Sequence, residues 1–156
     1  MLYPLSYEGV LAFRWYLPGA RCRAPVRSRT VGKRTVLVID DDPVILELLR
    51  VNFEIEGFDV ICAADGEEGF RKAQAEQPDI VISDIMMPRR DGLQLLADLK
   101  ADATTEDLPV ILLSAKAQKT EIQQGLDLGA DDYITKPFDP LELIDRLNAV
   151  MTRPPR

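Results

Sequence analysis

The stretch VLVIDDDP at residues 36–43 decides how this chain folds, because four apolar residues lead directly into three aspartates. Two later stretches have the same form, IVISD at residues 80–84 and VILLS at residues 110–114, and YITKPF at residues 133–138 ends in a Lys-Pro pair. Short apolar runs that end in polar residues are typical of parallel strands covered by helices on both faces. Since ligands of such sheets bind beyond the carboxyl ends of the strands, we expect the polar residues to converge in one crevice.

Strands and helices alternate along the chain from Arg34 onward. The predicted strands are Thr35–Ile39, Phe58–Ala63, Ile80–Ser83, Val110–Ser114 and Asp132–Thr135. The predicted helices are Pro43–Glu56, Glu67–Glu76, Gly92–Ala101, Lys119–Leu128 and Pro140–Met151. This alternation predicts an α/β fold with a doubly wound five-stranded parallel sheet and helices on both faces. The strand order 2-1-3-4-5 fits, because the weakly alternating second strand suits an edge.

The charge divides the chain into a basic and an acidic part. Residues 1–34 hold seven basic side chains and one acidic one, whereas residues 35–156 carry a net charge of −13. We expect a basic, disordered extension at 1–33, one folded domain at 34–151 and a tail at 152–156. Translated sequence upstream of the true start is an equal interpretation of the extension. A short amphipathic anchor within residues 2–17 is a weaker one.

Bulk composition limits the function. An acidic body argues against direct binding of nucleic acid, because phosphate neutralisation needs clustered lysines and arginines. No apolar stretch approaches the roughly 20 residues that span a bilayer. Two cysteines, Cys22 and Cys62, make no disulfide framework, and Cys62 is expected to be a small core residue. A cytoplasmic location fits these features.

The three consecutive aspartates at 40–42 favour a metal site. Asp42 alone is explained as a helix cap, but like charges packed together need a cation or a proton between them. Magnesium prefers oxygen ligands and uses one or two carboxylates together with waters and phosphate oxygens. Asp41 and Asp84 are the expected carboxylate ligands, and Asp40 is expected to hold a metal-bound water.

Phosphoryl chemistry follows from the other residues of the crevice. A carboxylate such as Asp84 can attack phosphorus when a cation, the Lys136 ammonium and the Ser114 hydroxyl neutralise the phosphoryl oxygens. Three residues also have ordinary explanations. Asp84 is explained as a loop aspartate, Ser114 as a turn-forming serine, and Tyr133 as a half-buried strand aromatic. The Lys136-Pro137 bond is one that can be cis.

These motifs, together with IVISDIMMPRRDG at residues 80–92 and GADDYITKPF at residues 129–138, resemble the receiver domain of two-component response regulators. The resemblance covers residues 35 to about 151 and implies the flavodoxin-like receiver fold. It implies that Asp84 is the phosphoacceptor, and that Ser114 and Lys136 contact the phosphoryl oxygens. It also implies that Mg²⁺ is surrounded by Asp40, Asp41, Asp84 and the backbone carbonyl of Met86.

The resemblance further implies partners and a switch. A histidine kinase or a histidine phosphotransfer protein would supply the phosphoryl group. Ser114 and Tyr133 would act as a coupled switch that changes the face made by the fourth helix, the fifth strand and the fifth helix. The expected function is therefore a cytoplasmic phosphorelay protein, with self-phosphorylation and self-dephosphorylation but no other enzymatic activity. It would act by binding an unknown target or by passing phosphate on, unless the chain is cut from a longer regulator.

Two other hypotheses stay open. Asp40 to Val44 also fits the nucleophile motif of haloacid-dehalogenase-type phosphatases, with Asp40 as nucleophile, Ser114 as second motif and Asp131-Asp132 as acidic pair. In that case Asp84 and the loop that follows it go unexplained. The other hypothesis is a receiver-like module that is never phosphorylated and only binds a partner. The runs Arg89-Arg90 and Arg21–Arg29 are expected to be solvated surface.

Overall fold

A computed structural model describes residues 32–115 and 119–154 of the chain. The expectations for residues 1–31, for Arg21–Arg29 and Cys22 within them, and for the last two residues of the tail lie outside the described residues. In the described part, no helix combines the length and the apolar character needed to cross a membrane.

Within residues 32–115 and 119–154, five strands and five helices alternate strictly. The strands are β1 (Thr35–Ile39), β2 (Asp59–Ala63), β3 (Ile80–Asp84), β4 (Val110–Ser114) and β5 (Asp132–Thr135). The helices are α1 (Pro43–Ile55), α2 (Gly66–Glu76), α3 (Gly92–Ala101), α4 (Lys119–Asp127) and α5 (Pro140–Met151). All strand pairs are parallel and their order is β2-β1-β3-β4-β5, so the predicted fold class and strand order are confirmed.

The core has two layers, one on each face of the sheet. Alternate residues of the central strands face opposite sides, as the pleat of a strand requires. Val36 and Ile82 pack with residues of α1 and α5, whereas Leu37 and Val81 pack with residues of α2 and α3. The three central strands are thus covered on both faces, which explains why their sequences are continuous apolar runs rather than alternating ones.

Side-chain caps fix where four helices begin. The carboxylates of Asp42, Asp65, Asp91 and Asp139 accept hydrogen bonds from backbone amides in the first turn of α1, α2, α3 and α5, respectively. Such caps satisfy amides that have no partner within the helix. Because Asp65 is the cap, α2 begins at Gly66, one residue before the predicted start.

Arg90 differs from the expectation of a solvated basic run. Its guanidinium lies 5.4 Å from the ring centroid of Phe70 and 3.4 Å from carboxylate oxygens of both Glu67 and Asp98. Arg89, in contrast, is 80% exposed. The prediction of a solvated side chain was therefore wrong for Arg90. This cation stacks on an aromatic ring and pairs with two acids, and these contacts join α2 to α3.

Phe53 provides a test of the α1 side of the core. Its side chain is fully buried and meets the Phe58 ring edge-on at 6.1 Å. We expect Phe53→Ala to lower the free energy of unfolding by about 3–5 kcal/mol, because a cavity remains. Leu141→Ala is the matched control, since Leu141 is 62% exposed on α5 and should change stability by only about 0.5 kcal/mol. Urea unfolding followed by circular dichroism measures both, and equal losses would contradict this packing.

Candidate functional site

The carboxyl ends of β1 and β3 bring two aspartates together. The parallel register pairs Ile39 with Ser83, so Asp40 and Asp84 occupy the next positions on neighbouring strands. Both are buried, at 1% and 6% exposure. The residues two positions before them, Val38 and Ile82, face the α1 and α5 side, and the period of two places both aspartates on that same side.

Asp41 completes a cluster of three carboxylates. Asp40, Asp41 and Asp84 each offer an oxygen, and these oxygens lie within 4.8 Å of one another. Asp41 is exposed, so the cluster opens to solvent on one side. The structure therefore brings together the three acids that the sequence placed at one crevice.

Lys136 supplies the positive charge of the site. Its Nζ lies 2.8 Å from a carboxylate oxygen of Asp40 and 3.4 Å from one of Asp84. Its backbone amide donates to the Ser114 carbonyl at 2.7 Å. The Lys136-Pro137 peptide bond is cis. One residue from the end of β5 thus contacts the ends of β1, β3 and β4.

Burial and charge act against each other on both partners. Desolvation by burial raises the pKa of the Asp84 carboxyl, and the Asp40 charge adds to this, while Lys136 opposes it. Burial also disfavours the Lys136 ammonium, but its hydrogen bond to Asp40 and the charges of Asp40 and Asp84 outweigh burial, so the pKa of Lys136 is raised. The ammonium is therefore held protonated beside a carboxyl that is costly to ionise.

Asp40 also shapes the start of α1. Its second carboxylate oxygen accepts a hydrogen bond from the Asp42 amide at 2.9 Å, and Asp42 in turn caps α1 through the Val44 amide at 2.8 Å. Both oxygens of Asp40 thus have protein partners. The sequence assigned Asp40 to a water of the metal and did not foresee these two contacts.

The remaining predicted residues lie in β4, in the loop after β3 and in β5. Ser114 is fully buried at the end of β4, whereas Met86 is 53% exposed in the loop after β3. Tyr133 is half-buried in β5, where it pairs with Leu112 in register and packs against the core on the α2 and α3 side. Ser114 and Tyr133 therefore lie on adjacent strands, with Tyr133 two residues before the register partner of Ser114.

Gly92 is a site residue whose role the sequence analysis missed. A Cβ at this position would lie 2.3 Å from the Asp84 carbonyl oxygen and 2.8 Å from the Ile85 Cα. The Gly92 amide donates to the Ile85 carbonyl at 2.8 Å. Only glycine allows α3 to begin this close to the strand that carries Asp84. The Asp91-Gly92 pair was seen only as a helix start, because spacing does not reveal a backbone contact.

The constellation of the phosphatase alternative is not assembled. The Asp131 carboxylate accepts from the Val110 amide at 3.0 Å, at the amino end of β4. Asp132 begins β5 and pairs with Arg146 at 3.2 Å. In a parallel sheet these positions lie at the opposite edge from Asp40, so this acidic pair cannot assist chemistry at Asp40.

A divalent cation fits the donor set. Three carboxylates and one ammonium leave two negative charges if all are ionised, and two of the acids are buried where like charges repel strongly. Oxygen donors that open to solvent on one side suit an ion that keeps several waters.

The fold and the site define the class: a doubly wound α/β domain with a carboxylate cluster and a lysine at the carboxyl edge of its sheet. The chain belongs to the response regulator receiver domain family, because the sequence model of that family matches residues 36–148. The predicted resemblance is therefore confirmed, and the chain is a two-component signalling domain rather than a classical enzyme.

Relatives and solved structures agree with this assignment. The chain is 42% identical over 120 residues to the alkaline phosphatase synthesis transcriptional regulatory protein PhoP of Bacillus subtilis, covering 77% of this chain and 49% of PhoP. It is 44% identical over 121 residues to the DNA-binding dual master transcriptional regulator RpaA of Synechocystis, covering 78% and 50%. The chain thus spans about half the length of these relatives.

Among solved structures, the receiver domain of the Francisella response regulator 1452 is 39% identical, with a TM-score of 0.73 over 78% of this chain and 98% of that one. The chemotaxis protein CheY4 of Vibrio cholerae is 30% identical, with a TM-score of 0.73 over 76% and 98%. Both confirm the flavodoxin-like receiver fold.

The raised pKa of Asp84 predicts how stability depends on pH without divalent ions. Because the folded protein holds this proton more tightly than the unfolded chain, the wild type loses stability as pH rises from the ordinary value of 3.8 through the folded pKa. Asp84→Asn removes this loss, so we expect the variant to be more stable than wild type at neutral pH. The difference should vanish as pH falls below that ordinary value.

Chemical unfolding in EDTA at several pH values measures the difference. Asp145→Asn is the control, because Asp145 is exposed on α5. This substitution removes the same charge at a position away from the cluster. An Asp84→Asn variant less stable than wild type at neutral pH would contradict the desolvation argument.

Proposed function

We propose that this protein accepts a phosphoryl group on Asp84, in a reaction that needs Mg²⁺, from a histidine kinase or a histidine phosphotransfer protein. The phosphorylated domain then signals through the face made by α4, β5 and α5. Its own chemistry is limited to taking up and losing this phosphoryl group.

One observation carries the proposal: Asp84 is a buried acid with an oxygen close to both other carboxylates and to the ammonium. Its oxygen lies within 4.8 Å of oxygens of Asp40 and Asp41, and 3.4 Å from the Lys136 Nζ. Asp40 is equally buried, but both its oxygens are engaged by Lys136 and the Asp42 amide. The Lys136 Nζ lies 2.8 Å from Asp40 but 3.4 Å from Asp84, so Asp84 is less tightly paired with the ammonium, which suits a nucleophile.

The transfer itself requires little from the protein beyond position and charge. An Asp84 oxygen forms a bond to phosphorus, the bond from phosphorus to the donor nitrogen breaks, and that nitrogen keeps the electron pair. The Lys136 ammonium stabilises negative charge on the phosphoryl oxygens, and the Ser114 hydroxyl donates to one of them.

Asp40, Asp41, Asp84 and the Met86 carbonyl would hold Mg²⁺. When bound, the ion supplies positive charge that lets a phosphoryl group approach three carboxylates. Asp41 is the exposed one of the three carboxylates, so its side of the cluster is the natural entry side for the ion.

Ser114 and Tyr133 form the proposed switch between the site and the signalling face. Ser114 ends β4 beside Lys136, and Tyr133 lines a shallow groove between α4 and β5 together with Ile122 and Leu126. A phosphoryl group that draws the Ser114 hydroxyl toward it would change the space open to the Tyr133 ring. One local charge can bias two packings that differ by a few kcal/mol.

The partners follow from the same assignment. The acidic body argues against direct binding of nucleic acid by this domain, although curated relatives twice its length are transcriptional regulators. The output therefore lies in contacts with another protein or protein segment, and a cytoplasmic location suits a partner of histidine kinases.

Labelling tests the phosphoacceptor. We expect the wild type to gain the mass of one phosphoryl group when incubated with a small acyl phosphate and Mg²⁺, and Asp84→Asn to gain none, because no other acid among the described residues has the same surroundings. Mass spectrometry of the intact protein measures the gain, and Asp145→Asn, which removes an exposed acid of α5, should label normally.

Mapping the labelled peptide separates the alternatives. A label on Asp40 would support the phosphatase hypothesis, and no label on the wild type would support a module that only binds a partner. Normal labelling of Asp84→Asn would refute the assignment outright.

Thermal unfolding tests the metal site. We expect Mg²⁺ to raise the stability of the wild type, by about 2.7 kcal/mol when its concentration is one hundred times the dissociation constant. Asp41→Asn should lose most of this gain while keeping the fold, because Asp41 is exposed and the change replaces a negatively charged ligand by a neutral amide.

Scanning calorimetry at constant ionic strength measures the effect. Asp145→Asn should respond to Mg²⁺ as the wild type does. If Mg²⁺ stabilises Asp41→Asn as much as the wild type, the Asp41 carboxylate does not bind the ion.

A further inference from the structure

The loop between β3 and α3, residues 85–91, leads directly away from Asp84. Its second residue is Met86, whose carbonyl is a proposed ligand of the ion. The loop is closed at its base, because the Gly92 amide donates to the Ile85 carbonyl at 2.8 Å, and the Ile85 amide donates to the backbone of β4 at 2.9 Å. Both ends of the loop are therefore fixed on the sheet, and the residues between them decide where the Met86 carbonyl lies.

The loop turns sharply after its first residues. Met86 contributes little to fixing its own carbonyl, since its side chain is 53% exposed, whereas Met87 is 8% exposed and packs on the α2 and α3 side of the core. The Arg90 amide then donates to the Pro88 carbonyl at 2.9 Å, and Arg89 between them has a φ of +70°. A hydrogen bond across three residues defines a γ-turn. Because side chains other than glycine rarely adopt this backbone region, other contacts must hold the turn.

Arg90 supplies these contacts on the far side of the loop. Its guanidinium lies 5.4 Å from the Phe70 ring centroid and 3.4 Å from carboxylate oxygens of Glu67 on α2 and Asp98 on α3. Its backbone also packs against α2, since a Cβ at Gly66 would lie 2.6 Å from the Arg90 carbonyl oxygen. Both the side chain and the backbone of Arg90 thus hold the loop against the helices.

Two features of this loop are locally unfavourable. The Nη1 atom of Arg90 is buried and has no hydrogen-bond partner among the described residues, so its 3.4 Å approach to Asp98 is an ion pair without a hydrogen bond. A buried donor without such a partner costs free energy, as does the left-handed backbone of Arg89. Features of this kind cluster where function requires a fixed geometry. Both lie in the loop that follows Asp84.

We propose that Arg90 is a positioning residue for the ion. By holding the loop against α2 and α3, it keeps the Met86 carbonyl where this oxygen can join the carboxylates around Mg²⁺. Arg90 also lies two residues before Gly92, which packs against the Asp84 carbonyl, so it steadies the loop on both sides of the cluster. This role rests on the proposed function, in which the cluster and Met86 hold the ion.

Charge and position predict opposite effects of removing Arg90. Loss of a cation near an ion site strengthens Mg²⁺ binding, because one repulsion is removed. Loss of a positioning contact weakens Mg²⁺ binding instead. Residues that orient metal ligands typically contribute about 10–100-fold in affinity. We expect Arg90→Ala to raise the Mg²⁺ dissociation constant by about tenfold, the lower end of that range, because Arg90 acts through the loop backbone.

Titration of each variant with Mg²⁺, followed by amide NMR chemical shifts, measures this constant. Phe70→Leu removes the stacked ring without changing any charge, and should also raise the constant. Arg89→Gln is the charge control, since Arg89 is 80% exposed in the same loop, and should leave the constant equal or lower. Gln74→Ala is the packing control, because it breaks another α2 to α3 contact, the 2.7 Å hydrogen bond to Asp102, and should leave the constant unchanged.

Circular dichroism confirms that each variant is folded. Arg90→Lys keeps the charge but loses the planar stacking, and it replaces Arg90→Ala if that variant unfolds. Phe70→Leu decides the question if neither Arg90 variant folds.

An unchanged or lower dissociation constant in folded Arg90→Ala overturns the positioning role, while Mg²⁺ binding and Asp84 labelling of the wild type leave the proposed function intact. A Gln74→Ala variant that weakens binding equally also overturns it, because the effect then belongs to helix packing in general. A wild type that binds no Mg²⁺ overturns both this role and the ion site of the proposed function.

Discussion

The ion pair between Lys136 and Asp40 is the interaction on which the rim of this sheet depends. Two aspartates, Asp40 and Asp84, end neighbouring strands and are almost fully buried. Like charges in that position repel and are poorly solvated. The Lys136 ammonium contacts both carboxylates, and its backbone is bonded to Ser114. One residue therefore joins the ends of four strands and offsets the cost of keeping acids there.

The same arrangement explains why the site suits a charged ligand. The protein holds more negative than positive charge at this rim, so a divalent ion and then a phosphoryl group can each change the local balance. Asp41 stays at the surface, where an ion can enter. Gly92 keeps the following helix against the Asp84 backbone. The fold thus places its least favourable electrostatic contacts where the proposed chemistry needs them, which is common in functional sites.

The fold was largely predictable because local and global signals agree. The run at 36–39 is apolar throughout since β1 is buried on both faces, and it could be recognised without any structure. Gly57, at a φ of +90°, ends α1 as expected. Differences are confined to ends, such as α2 beginning at Gly66, and to Arg90, where a tertiary contact with Phe70 replaced solvent. End positions depend on individual hydrogen bonds that sequence patterns describe only loosely.

The sequence by itself determined the residue types of the site and the edge of the sheet at which they gather, because parallel strands all point the same way. It did not determine which carboxylate the ammonium would prefer. Only the tertiary structure decided that Lys136 lies closer to Asp40 than to Asp84, and that the Asp131-Asp132 pair lies at the far edge. Such contacts join residues up to 96 positions apart. Their distances follow from strand register and helix packing, which no local pattern encodes.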